Sequence, residues 1–455
     1  MSHHSTFSAA SAQHLYKVHG DLKLTIKVTE NPYGISPDSL FGMGMRINKK
    51  RQFLFVSRLL GKHLAVDPAL SLGTGTVLAS MLLESEGQES HPETNRIAAM
   101  INRQQPDRAL VKKSLAYKAQ LPTRTVFIGF AETATGLGHA VFQHFNEAVY
   151  LHTTREEMVN AEPSFRFEEE HSHATSHRVY APEHVLQEAE TIVLIDDEIT
   201  SGRTAANLII SLNEAYPGKR YKVLSILDWR SDEHRQEFTE AMAIRHVSAE
   251  VLSMLAGEFV LHSEDTAEEP ALDYLSGSGE FSAVTGELPA EMHAPFKSAF
   301  ATYSLFTGRF GLTSKQHDRM DNWIRQLGDR IRMEPNDANI LIIGIGENIY
   351  IPQRLALELG SNTRVQTTTR SPIFPSDKIG YPIKSKTKFL LPDSSGTEQY
   401  LYNLNAIKAD RIIVVAESVR EQESWQPLLA HLGELAPVTW LALTSEEKQV
   451  NSNET

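Results

Sequence analysis

Two adjacent aspartates, followed at a short interval by hydroxyl side chains around a glycine, are the residues best suited to chemistry in this chain. They are Asp196 and Asp197, then Thr200, Ser201, Gly202, Arg203 and Thr204, within TIVLIDDEITSGRTAANL at 191–208. The apolar, β-branched run at 191–195 predicts a strand covered on both faces. The acids fall where that strand should end, and the small-residue turn opens a helix predicted over 203–215. Exposed amides and the positive end of a helix dipole make such a turn an anion site. The carboxylates beside it are not meant for the same anion, because like charges repel. They suit vicinal hydroxyls or a bound Mg²⁺. A ligand carrying a phosphate and a diol satisfies both parts. The plain alternative is a strand and a capped helix with Asp and Thr as turn formers.

IVLIDDEITSGRT closely resembles the 5-phosphoribosyl-1-diphosphate (PRPP) signature of type I phosphoribosyltransferases. It has four apolar residues, two acids, two spacers and then Thr-x-Gly-x-Thr. The resemblance implies that Asp196 and Asp197 are the catalytic pair, addressing the ribose hydroxyls and reaching Mg²⁺ through PRPP. It implies that Thr200, Ser201, Gly202, Arg203 and Thr204 hold the 5′-phosphate. Hypoxanthine–guanine enzymes carry an Asp just before the Thr/Ser-Gly pair, where this chain has Thr200. The pattern is closer to the orotate type, DDxITxG. It leaves no general base assigned, with Glu198 a weak candidate.

The pattern occurs a second time upstream. An apolar strand at 126–130 leads into AETATGLG at 131–138 and a helical stretch over 139–150. Small residues there permit close approach of the backbone to a ligand. In the family this earlier unit is the pyrophosphate loop, here Glu132, Thr133, Ala134, Thr135 and Gly136. The loop departs from the pattern: it commonly carries a Lys or Arg, and this one has Glu132, Thr133 and Ala134. Neutralisation must come from Mg²⁺, from Lys62 or from elsewhere. Lys62 follows Gly61 and an apolar run at 53–56, and reads either as a pyrophosphate or substrate contact or as a solvated turn. The same two readings apply to the basic cluster at 46–51, the solvated one being favoured for Lys49 and Lys50.

Residues 151–180 show little periodicity, and a long loop between core elements is often functional. In the family this interval holds a mobile loop that closes over PRPP. Glu170, His171, His173, His177 and Arg178 are candidates for contacting the leaving group. Their His-x-His-x₃-His spacing also fits a transition metal. The next strand, at 221–227, ends at Asp228-Trp229-Arg230. Three strands alternating with helices imply a parallel sheet whose ligands gather at the carboxyl ends of the strands. In some family members an aromatic residue in this region stacks on the nucleobase. Trp229 is the candidate, with core packing as its other reading.

The chain has 455 residues, enough for roughly two or three domains, and is 41% hydrophobic and 22% charged. A net charge of −13 argues against a broad nucleic-acid surface. The absence of cysteine fits a reducing compartment. No stretch approaches the roughly eighteen apolar residues of a membrane helix, so a cytoplasmic protein is expected. Residues 1–20 are polar and read as frayed, 22–28 as a strand, 73–84 as a helix entered through a Gly/Thr turn, and 84–107 as a surface excursion followed by a short helix. An acidic linker with SGSG is expected over 261–298. Beyond it come a helix at 318–333, a strand at 339–343 and a tight turn at GIGEN, which is a weak dinucleotide signal.

The second half, with Thr369-Arg-Ser-Pro372 following such a first half, resembles the TRSP domain found fused behind a type I phosphoribosyltransferase. Together the two resemblances imply a phosphoribosyltransferase domain over 1–260, with 1–60 as its N-terminal hood. The linker, a TRSP domain over 299–446 and a disordered tail over 447–455 complete the chain. The expected fold is α/β: a type I parallel-sheet core with a mobile loop, and a second, Rossmann-like α/β domain. Such proteins tend to be encoded beside tellurite-resistance-type stress genes. The expected function is Mg-dependent transfer between PRPP and a nitrogenous base, in synthesis of a nucleotide- or nucleoside-like metabolite. A non-catalytic PRPP or nucleotide sensor on the same fold is the alternative. The expected partners are those small molecules, without a membrane, and a homodimer is compatible. Arg309 and Arg370, beside small or hydroxyl residues, are candidates for a second anion site, ordinary loop structure being favoured.

Overall fold

The computed structural model describes residues 13–46, 51–168, 176–263, 275, 277–285, 288–289, 292–297, 302–332, 337–394 and 396–445. Its first sheet is built on runs of β-branched and aliphatic residues, and Thr191–Ile199 lies at the centre. The first five residues of that strand are buried, as a strand covered on both faces requires. Parallel neighbours run in the order Val149–His152, Thr125–Gly129, Thr191–Ile199, Arg220–Asp228 and Ser248–Leu261. The order therefore reverses between Thr125–Gly129 and Thr191–Ile199. Ligands of open α/β sheets bind at such a switch point, beyond the carboxyl ends of the strands.

The second sheet is wholly parallel, in the order Phe281–Thr285, Val438–Ser445, Arg411–Val419, Ile340–Gly344 and Arg364–Thr367. It too reverses, between Ile340–Gly344 and Arg411–Val419. The halves are joined extensively. Leu312–Thr313, from the second half, pairs with the edge strand Val149–His152 of the first sheet. Val66 and Val365 exchange both backbone hydrogen bonds (2.9 and 3.0 Å), and Thr367 N–H donates to the Gly61 carbonyl (2.7 Å). Arg108 binds Asp67 on one side and the carbonyls of Ala356, Leu359, Gly360 and Thr363 on the other. One apolar core runs through both halves. A Cβ on Gly136, at the start of helix Ala134–Phe142, would lie 2.3 Å from Cγ2 of Ile349 in the second half.

Several elements differ from expectation. Gln13–His19, read as frayed, is a strand paired with Leu22–Glu30. The helix expected from residue 73 starts earlier, at Pro68, with Asp67 accepting from the Ala69 amide (2.9 Å). Its glycines lie inside it because it packs tightly: a Cβ on Gly75 would be 2.4 Å from the Ala140 carbonyl. The helix expected over 139–150 is Ala134–Phe142 and stops there. The β-branched and aromatic segment Val149–His152 instead forms a strand. The stretch read as a linker contributes Phe281–Thr285 to the second sheet and the strand His293–Lys297, its strand signal hidden by the acidic flanks. The helix placed at 318 begins at Ser314, started by a Thr313/Gln316 capping box. The expected tail over 447–455 lies outside the described residues. Among the described residues no helix is long and apolar enough to cross a membrane.

Buried histidines stitch the halves together. His139 stacks on Tyr350 (3.7 Å, 8°), and His317 and Gln143 hydrogen-bond its hydroxyl (3.0 and 2.7 Å). Burial holds His63, His139, His144 and His317 below the ordinary 6.5, and His152 at about 4. The unfolded chain takes up these protons first, so their contribution to stability is present above pH 6.5 and is lost as pH falls toward 4. A histidine adds a slope of about 1.4 kcal/mol per pH unit only where it is protonated in the unfolded chain and still neutral in the fold. Urea unfolding midpoints should fall steeply from pH 7 to pH 5; a flat profile would contradict the burial.

Candidate active site

The two strand–loop–helix units meet at the switch point of the first sheet. The strand bearing the acids does not end at them: it stays paired with Arg220–Asp228 through Ile199, and leaves Thr125–Gly129 after Ile195. Asp196 and Asp197 therefore lie beyond the pairing with Thr125–Gly129, half-buried, with the Asp197 amide donating to Asp196 Oδ1 (2.9 Å). The neighbouring strand leads into the loop at 131–136, whose Phe130 amide donates to the Ile195 carbonyl (3.0 Å). Helix Arg203–Ala215 begins after Gly202, which takes φ +79°. A Cβ there would press on Arg230 Cδ at 2.8 Å, and Arg230 is itself fixed by two bonds to the buried Asp228 (2.8 and 3.0 Å). The Arg203 guanidinium points to Glu237 (3.3 Å) at the surface, so what Arg203 offers the turn is its backbone.

The loop at 131–136 is held from behind. Thr153 Oγ1 accepts from the Ala131 amide (2.8 Å) and pairs with His177 Nδ1 (2.9 Å). His177 is fully buried, on the hairpin Phe165–Glu168/Ser176–Val179. Arg178 donates to the Arg155 carbonyl (3.1 Å) and sits 3.4 Å from Glu157. Of these two residues, expected to contact the leaving group, His177 braces the loop through Thr153 and Arg178 binds the segment at 155–157. Glu170, His171 and His173 lie outside the described residues, as do Lys49 and Lys50.

Positive charge reaches the loop from outside it. Lys62 Nζ donates to Thr133 Oγ1. Arg370 lies with its Nε 3.9 Å from Glu132 Oε1 and its Nη2 3.7 Å from Glu156 Oε1. Across the site, Arg51 caps Phe53 and Phe55 (4.8 and 5.5 Å) and pairs with Glu198 (2.6 Å). Burial raises the Glu198 carboxyl, and Arg51 opposes the rise.

Two candidates sit elsewhere. Trp229, expected to offer a stacking face, is 3% exposed: Phe55 stacks on it at 4.8 Å, with Phe41 and Phe259 edge-on. An adjoining hairpin, Phe41–Met45/Phe53–Ser57, covers the face that a base would use. Arg309 is 2% exposed and its two terminal nitrogens are bonded to Glu417 (2.8 and 3.0 Å) and Glu347 (3.0 Å), so they are engaged within the fold. Glu347 was missed in the sequence. It accepts from Thr154 Oγ1 (2.8 and 3.0 Å) and the Arg155 amide (3.2 Å), while its carbonyl accepts from Thr135 Oγ1 (3.1 Å). Burial pushes its carboxyl up, but Arg309, His152 and Thr154 together hold it at about 2. The only signal for it was the GIGEN turn, whose glycines mark the bend but not the clamp.

Residues 40–258 match the family model described as phosphoribosyl transferase, and residues 306–432 match the TRSP domain that lies C-terminal to it. The chain is a phosphoribosyltransferase fused to a TRSP domain. Similar solved structures include the adenine phosphoribosyl transferase of Trypanosoma brucei in complex with AMP, pyrophosphate and ribose-5-phosphate. It is 13% identical, over 50% of this chain and 82% of that one, with a TM-score of 0.29. The enzyme of Giardia lamblia with 9-deazaadenine is 14% identical over 28% and 70%, at 0.20. The glutamine PRPP amidotransferase of B. subtilis with ADP and GMP is 9% identical over 51% and 56%, at 0.22. Likenesses this low carry no argument beside the two domain matches. Comparison with curated proteins gives no match.

The placement of Trp229 makes a stability prediction for the phosphoribosyltransferase. Trp229→Ala should cost about 3–5 kcal/mol in urea unfolding, through the cavity it leaves. A loss under 1 kcal/mol would show that the ring is not packed as described.

Proposed function

We propose that the chain transfers the phosphoribosyl group of PRPP to a nitrogenous base. The observation that carries the reading is the meeting of the acid pair, the Gly202 turn and the 131–136 loop at one switch point. In this reading Asp196 and Asp197 accept hydrogen bonds from the ribose hydroxyls, and the turn at 200–204 takes the 5′-phosphate. Residues 132–136, with Lys62, take the pyrophosphate. As the base nitrogen bonds to C1, the C1–O bond to pyrophosphate breaks and the ribose gains oxocarbenium character. The carboxylates then do more in the transition state than in the ground state, which is how they would accelerate the step. Glu198 is engaged by Arg51, and in this reading the base's proton goes to solvent or to the departing pyrophosphate.

The donors present fit Mg²⁺ as an ion that arrives on the substrate. Among the described residues no three His, Asp or Glu side chains gather into a metal site, and Mg²⁺ is held by one or two carboxylates plus substrate oxygens in such cases. Asp196 and Asp197 would supply that contact. When bound, the ion would spread the leaving group's charge.

Asp196→Asn/Asp197→Asn should weaken PRPP binding by calorimetry about 100-fold, since hydrogen bonds to charged groups contribute about 1.5–3 kcal/mol each. The native chain should release pyrophosphate when a base from a panel is added. Unchanged PRPP binding in the variant would contradict the assignment. Binding without release from any base would favour a sensor on the same fold.

A further inference from the structure

We propose that the TRSP domain completes the pyrophosphate site, with Arg370 binding the diphosphate directly beside Lys62. This rests on the phosphoribosyl reading above and adds a residue from the other half of the chain.

The diphosphate of PRPP carries several negative charges, and the loop expected to hold it carries Glu132 and no cation. Left alone, that loop repels its ligand. Two cations converge on consecutive residues of it: Lys62 on Thr133, and Arg370 beside Glu132. Main-chain bonds fix their relative position. The Lys62 segment pairs with Arg364–Thr367 through Gly61–Thr367 and Val66–Val365, and that strand leads straight into Arg370.

Arg370 is also bonded differently from Arg309. Its separations from Glu132 and Glu156, 3.9 and 3.7 Å, are too long for hydrogen bonds, whereas the terminal nitrogens of Arg309 are hydrogen-bonded to Glu417 and Glu347. Its side chain is 30% exposed. An arginine fork matches two phosphate oxygens at once. Arg309, by contrast, occupies the second sheet's own switch point. It bridges Glu347, after Ile340–Gly344, to Glu417, on Arg411–Val419. The crevice where that sheet would ordinarily take a ligand is filled by an ion pair. The TRSP domain thus meets the first site with its own crevice closed and one arginine held out.

The test measures binding of pyrophosphate, PRPP and ribose 5-phosphate by calorimetry to the full chain and its variants. Arg370→Gln should weaken pyrophosphate and PRPP by about tenfold or more and leave ribose 5-phosphate unchanged, which also reports an intact fold. Arg370→Lys should recover part of the loss. The double variant Glu132→Gln/Arg370→Gln separates contact from mere neutralisation of Glu132. Direct contact predicts that pyrophosphate binding stays weak, whereas recovery to the native value would overturn the proposal. So would native pyrophosphate affinity in Arg370→Gln, with the phosphoribosyl reading left standing because PRPP still binds. A native chain that binds no PRPP would remove both.

Discussion

A loop proposed to hold a diphosphate, and itself bearing a carboxylate, needs positive charge from elsewhere, and two cations reach it from outside. Glu132 stands in the loop, and the chain as a whole is strongly acidic. Lys62 reaches the loop from the segment after Phe53–Ser57, and Arg370 reaches it from the far half. Neither would hold its place without the pairing of 61–66 with Arg364–Thr367. The interface between the halves is therefore part of the site's electrostatics as well as of its packing.

The same interface explains the buried ions. Arg309 and its two glutamates lie out of water, where a lone charge would be costly and a paired one is tolerated. Glu347 ties that pair to Thr135 of the loop at 131–136 and to Thr154. Removing one member would leave its partners buried and unpaired, loosening the second sheet's switch point and the first sheet's loop together. Close contacts such as Gly136 against Ile349 leave little room for the halves to slide.

How much of this was readable in the sequence depends on the range of each interaction. The acid pair, the Gly202 turn and the loop at 131–136 are local patterns, and both strand–loop–helix units are present, though the first helix starts at Ala134 and the acid-bearing strand runs on through Ile199. The second, Rossmann-like sheet and the helix at Arg203–Ala215 were legible for the same reason. Val149–His152 was misread because a short apolar segment after a helix does not announce its period. Trp229 lies at the expected strand end, but two of the rings covering it, Phe41 and Phe55, come from a hairpin far upstream in sequence. Arg309 and Arg370 look alike as residues beside small neighbours; only the fold shows one locked between glutamates and the other left without a hydrogen bond. The Lys62–Arg370 convergence spans most of the chain, and single-sequence reasoning has no handle on contacts of that range.

The central claim, that one diphosphate is held by both halves, is tested most directly by a crystal structure of the full chain with Mg²⁺ and pyrophosphate. The account predicts phosphate oxygens within hydrogen-bond reach, about 3 Å, of both the Arg370 guanidinium and Lys62 Nζ, over the loop at 131–136. Pyrophosphate bound over that loop with Arg370 still turned to the glutamates, or bound at another place, would contradict it.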